Sequence, residues 1–175
     1  AVYMDDPNGV VSISGGTIKD CSAVNGGAIY MSDGTCTISG NAVIESCVAS
    51  ENGGAVYMGG GTLTITGGSI KNNSAEQNGG AVYLGGGSMT VYSGEISANT
   101  AKDSGGAAFI DGGNVKVAGG SITNNTAANN GGGIVINNGN YKMTGGSVDN
   151  NTAVNGAGGG IYVSAEGNNV TVDVL

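Results

Sequence analysis

The sequence predicts an all-β fold, a right-handed single-stranded parallel β-helix of about seven coils, each 26–27 residues long. Three observations predict it. A glycine-rich phrase recurs at a nearly fixed step. A second phrase follows each copy and alternates apolar with polar residues. No segment carries a sustained 3.6-residue apolar period, so no helix is expected.

The first phrase, Asn-Gly-Gly-Ala-(Ile/Val)-Tyr-(Met/Leu), starts at Asn25, Asn52 and Asn78. Looser copies start at Ser104, Asn130 and Ala157, and Ala1–Met4 reads as the tail of an earlier one. The second phrase reads TCTISG from Thr35, TLTITGG from Thr62, SMTVYSG from Ser88, NVKVAGG from Asn114 and NYKMTGG from Asn140. Period-two alternation is the signature of a strand with one buried face. A third phrase, (Ile/Val)-x-x-(Asn/Cys), closes each repeat.

Short strands of this kind cannot each bury a face alone. Stacking the coils joins equivalent strands into parallel sheets about 4.8 Å apart around one continuous core. Like residues then form columns. Cys36, Leu63 and Met89 are expected inside, with Ile38, Ile65 and Val91 beside them. Ile18, Ile44, Ile70, Ile96, Ile122 and Val148 make another inward column. Glycines are expected to turn the corners. Length changes fall in turns, with one residue fewer before Asn25 and one extra around Ala42.

Composition narrows the function classes. The net charge is −8, and the five basic residues are all lysine. Nucleic-acid binding and adsorption to an anionic membrane both need clustered basic groups, and this chain has only five against thirteen acids. No apolar run is long enough to span a bilayer, so no membrane insertion of this segment is expected. Residues 1–175 read as a single β-helix domain. Because the sequence starts inside a repeat, it is expected to be part of a longer array, with further coils or capping modules of the same chain as neighbours.

The pairing of Gly-Gly-Ala-(Ile/Val) with a later (Ile/Val)-x-x-Asn resembles the repeats of chlamydial polymorphic membrane proteins. It is also similar to adhesin-like β-helix repeats on other microbial surfaces. The matching residues are Gly26–Ile29, Gly53–Val56 and Gly79–Val82, with Asn73, Asn99, Asn125 and Asn151. Where that family usually carries Phe this chain has Ile or Val, and Cys21 and Cys47 stand in place of Asn. The resemblance implies an extracellular, surface-displayed stalk or passenger that contacts a host or microbial surface glycan or protein.

Candidate sites follow from the columns. Asn73, Asn99, Asn125 and Asn151 are expected to stack and bond to neighbouring coils, a structural role. Cys21 and Cys47 fall on adjacent coils, within disulfide reach. A reduced pair is the simpler reading, and the oxidation state stays open. Cys36 reads as a core residue. Tyr30, Tyr57 and Tyr83 belong to an aromatic column with Tyr3, Phe109 and Tyr162, interrupted by Val135. If that column faces outward, it is a candidate for stacking on sugar rings or covering a partner. Ser12, Thr37, Thr64, Thr90, Lys116, Lys142 and Thr171 are assigned to one outward column of the second strand. That column resembles the threonine rows of ice-binding solenoids, broken by lysines.

No catalytic residue, metal site or cofactor is assigned. Asp6 and Asp33 occupy equivalent positions and could share a calcium ion, although a solvated turn is the simpler reading. Sugar-cleaving β-helices are the enzymatic alternative. They need basic groups or a carboxylate pair at set separation, and the acids here are scattered among turns.

Overall fold

The computed structural model describes residues 2–164 and 170–175. Ala1, the first residue of the partial opening phrase, lies outside them. Among the described residues all regular elements are strands, arranged as a parallel solenoid with three faces. The first face is a seven-stranded sheet built from the tripeptides after each Gly-Gly corner, Val2–Met4 through Ile161–Val163. The second face holds nine strands, from Val10–Ile13 to Val170–Val174. The third holds six two-residue strands, from Ser22–Ala23 to Thr152–Ala153. The chain thus makes six complete turns, and its seventh contributes to the first two faces only. The expectation of about seven coils is corrected to that count.

In the third to sixth turns the second face is one long, bent strand, as in Thr62–Lys71 and Ser88–Ser97. In the second turn it splits into Thr35–Ile38 and Val43–Glu45. The extra residue near Ala42 falls in this break, and the first turn is split at the same place, into Val10–Ile13 and Thr17–Lys19, without one. Ser39 O accepts the Ala42 N–H at 3.2 Å and Gly40 takes φ 55°, making a tight turn that absorbs the insertion. Ile44 still pairs with Ile70, so register is kept.

The core is the set of inward columns. Cys36, Ile38, Leu63, Ile65, Met89 and Val91 are all buried. On the first face Ile29 and Met31 are buried while Tyr30 between them is half-exposed, so the aliphatic set points inward and the tyrosines outward. The third face contributes a column of small residues, Ala49, Ala75, Ala101 and Ala127.

One core residue is unexpected. Tyr141 occupies the inward column of Leu63, Met89 and Val115 and is fully buried. Among the described residues its hydroxyl donates to the Met143 thioether alone, at 3.7 Å. Burial pushes its phenol pKa up to about 12. A folded pKa above the unfolded value means stability is fully present below about pH 10 and is lost as pH rises toward 12. The chain is therefore expected to lose about 2–3 kcal/mol in urea melts between about pH 9 and about pH 12 through this group alone. Tyr141→Phe should flatten that slope while remaining at least as stable at neutral pH. An unchanged slope would show that the phenol is not the group responsible.

Corners use two devices. Glycines take positive φ at many of them, as expected. The corner before the third face does not use glycine. Asp20, Ser46, Asn72, Ala98, Asn124 and Asn150 all adopt φ of 54–57°. This left-handed residue turns the chain so that the next side chain, Cys21, Cys47, Asn73, Asn99, Asn125 or Asn151, points toward the interior.

Candidate functional site

Two amide ladders run along the rod. In the first, Asn99 Oδ1 accepts the backbone N–H of Asn73 at 2.9 Å and its Nδ2 at 3.0 Å. Asn99 Nδ2 donates to Ile70 O and to Asn125 Oδ1, both at 3.0 Å. Asn125 repeats the pattern on Asn151. Asn73, Asn99 and Asn125 are buried, so each amide is a fully bonded polar group in the core. This bears out the expected structural role.

Sequence reasoning missed the second ladder, although its residues begin every first phrase. Asn25 Oδ1 accepts the Asn52 N–H at 3.0 Å, and Asn52 Oδ1 accepts the Asn78 N–H at 3.1 Å. Asn78 Oδ1 then accepts from Ser104 N, Ser104 Oγ from Asn130 N, and Asn130 Oδ1 from Ala157 N. The signal was the recurrence of Asn in that position.

Cys21 and Cys47 continue the first ladder downward. Ser22 pairs with Val48, which places the two cysteines opposite each other on adjacent coils as expected. Both are free thiols. Each S–H donates to a carbonyl two residues back, Cys21 to Lys19 O and Cys47 to Glu45 O. Burial raises the Cys47 thiol above its ordinary value. Cys36 is buried in the core, and burial pushes its pKa up to about 11, so it stays a neutral thiol.

The outer side of the first face carries the aromatic column. Tyr3, Tyr30, Tyr57, Tyr83 and Phe109 stack with centroids 5.0–5.6 Å apart and planes within 11°. Each inner ring uses both faces on its neighbours, so Tyr30, Tyr57 and Tyr83 offer edges and hydroxyls outward rather than flat platforms. The Tyr83 hydroxyl donates to Asp111 Oδ2 at 2.9 Å, across to the next coil. Burial, then the hydrogen-bonded Asp111 carboxylate, push the Tyr83 phenol well above its usual value. Asp111 also accepts from Asn137 Nδ2 at 2.6 Å.

At the sixth coil the stack stops. Val135 sits in register between Phe109 and Tyr162 and is buried despite its outward position. A pocket of about 330 Å³ opens over it. Phe109 and Tyr162 flank it, and Ser104, Asn130, Asn137 and Ser164 form the rest of its lining.

On the second face Thr64 and Thr90 are half-exposed, and Lys116 and Lys142 are exposed. They share one outward column with Ser12 and Thr37. The assignment of Thr171 to this column is corrected. Thr171 pairs with Asn140, and Asp173 stands opposite Lys142. The last strand, VTVDV, alternates with period two, so a slip of two residues leaves the same side chains inside. The threonine run is therefore three residues long, from Thr37 to Thr90, before lysine replaces it.

Asp6 and Asp33 each cap their own loop. Asp6 Oδ1 accepts the Asn8 N–H at 2.9 Å and Asp33 Oδ1 accepts the Gly34 N–H at 2.8 Å. Among the described residues, no three His, Cys, Asp or Glu side chains converge as a metal cluster would require. Among the same residues no helix is long and apolar enough to cross a membrane.

Comparison with known proteins adds one finding. The family model described as "Right handed beta helix region" matches residues 1–173. No curated protein and no solved structure is significantly similar to the chain.

Proposed function

The chain belongs to the right-handed β-helix family, and from that premise we propose that it is a structural and adhesive segment of an extracellular or cell-surface protein. In this reading it is a rigid, non-catalytic rod of the polymorphic-membrane-protein and adhesin-like kind. It spaces or displays binding modules and touches a surface glycan or protein with its outer faces. Further coils or capping modules of the same chain are its natural neighbours.

The observation that carries the reading is the continuity of the ladders. Successive complete turns are bonded to one another through three sheets, with amide columns along most of them and an aromatic stack along the first five. Each turn contacts only its neighbours, which gives stiffness along one axis and tolerance of length change. A rod of this type needs continuity rather than any particular coil.

Deleting Asn78–Asp103 removes one period and joins Gln77 to Ser104, the position equivalent to Asn78. The product is expected to be soluble and folded by circular dichroism, and about 5 Å shorter by small-angle scattering. Unfolding of the shortened chain would overturn the spacer reading. So would a hydrolytic or eliminative activity of the intact chain on a polysaccharide that the deletion abolishes.

A further inference from the structure

The break in the aromatic column is a candidate binding site in its own right. Along the stack, ring faces are used up by neighbouring rings. Val135 removes one ring, so Phe109 lacks an aromatic partner on the Val135 side among the described residues. Tyr162 lies two coils from Phe109, a separation of about 10 Å. The rings below pack at 5.0–5.6 Å, so the gap is one ring wide. The valine, short and buried, lies at its base. At about 330 Å³ the pocket is at the small end of the range for ligand sites.

Its polar lining selects the kind of ring. Asn130 Oδ1 accepts from Ala157 N, while its Nδ2 donates to no acceptor among the described residues. Asn137 donates its Nδ2 to Asp111, which leaves its carbonyl oxygen able to accept. The pocket thus offers both a donor and an acceptor beside an apolar slot. An aromatic side chain would fill the slot but leave these groups unbonded, which is costly once they are covered. A pyranose has apolar C–H faces and a belt of hydroxyls that both donate and accept. The chain's charge of −8 and the nearby Asp111 disfavour an acidic sugar.

We propose that the notch over Val135 binds one neutral hexopyranose residue, inserted edge-first between the Phe109 and Tyr162 rings. Asn130 and Asn137 bond its hydroxyls. The site completes the aromatic column with a ring from outside the chain. It rests on the surface-contact part of the proposed function and gives that contact a ligand, while the spacer role is tested apart from it, because deleting Asn78–Asp103 leaves all of these residues in place.

The test is saturation-transfer NMR with cellotetraose, maltotetraose, mannotetraose and N-acetyl-tyrosinamide as probes. The intact chain should transfer saturation to at least one of the sugars. Val135→Tyr supplies the missing ring and should reduce that transfer about tenfold or more while raising the melting temperature. Tyr162→Leu, which removes one wall but keeps an apolar side chain, should weaken it similarly and serves if Val135→Tyr fails to fold. The proposal is overturned by no transfer to any sugar, by equal transfer in the intact chain and the folded variant, or by transfer to N-acetyl-tyrosinamide alone.

Discussion

Asn99→Ala is expected to cost about 3–5 kcal/mol, because it leaves several buried groups unbonded at about 1–3 kcal/mol each. The Asn73 N–H and Nδ2 lose their shared acceptor. Ile70 O loses a donor and Asn125 Oδ1 loses one of its two. No water reaches these atoms, since Asn73, Asn99 and Asn125 are at most 1% exposed. Thr64→Ala on the outer side of the second face is the control, expected to cost about 0.5 kcal/mol or less. Urea melts of the two variants decide the matter. Equal losses would mean that the amide column is ornamental and that the sheets alone hold the coils.

Gly80→Ala should be at least as damaging, for a different reason. Gly80's φ is not left-handed, so backbone strain there is not the issue. A Cβ there would lie 2.2 Å from Gly106 O and 2.7 Å from Thr100 N, both backbone atoms of the next coil. Flexible side chains can move aside, but a neighbouring coil fixed by three sheets cannot. The substitution is expected to exceed about 4 kcal/mol, beyond ordinary overpacking, and to give little folded protein. Gly85→Ala is the matched comparison. Its nearest contact would be Met58 O at 3.4 Å and its φ is not left-handed, so a change within about 1 kcal/mol is expected. Expression yield and thermal melts of the pair would separate close approach from mere loss of glycine. If Gly80→Ala melts like Gly85→Ala, the coils can part more easily than this packing implies.

The repeat made most of the architecture readable. A period of 26–27 residues with two-residue alternation fixes which positions stack, and stacking fixes the Asn73–Asn151 ladder and the inward aliphatic columns. The cysteine pair followed from the same register. What escaped has physical causes. The Thr171 assignment failed because period-two alternation cannot distinguish a slip of two residues. In the complete turns the glycine phrase at the preceding corner removes that ambiguity. The Asn25 column escaped because Asn beside Gly is ordinary turn composition, and only the geometry shows its side chains bridging coils. The left-handed corner at Asp20 through Asn150 was unreadable because five different pairs of neighbours precede the same backbone bend. Val135 was visible as a gap in the aromatic column. Its burial depends on Phe109 and Tyr162 standing to either side, which no single coil encodes.

The two amide ladders have opposite senses. In the Asn99 column each backbone N–H points from a coil to the side-chain oxygen of the coil after it. In the Asn52 column each N–H points to the coil before it. Bond dipoles that lie along the axis therefore add within each column and oppose between columns. An α-helix of similar length concentrates partial charge at its ends. In this solenoid the side-chain amides of the two columns partly offset one another, so less partial charge gathers at either end than if both ran the same way.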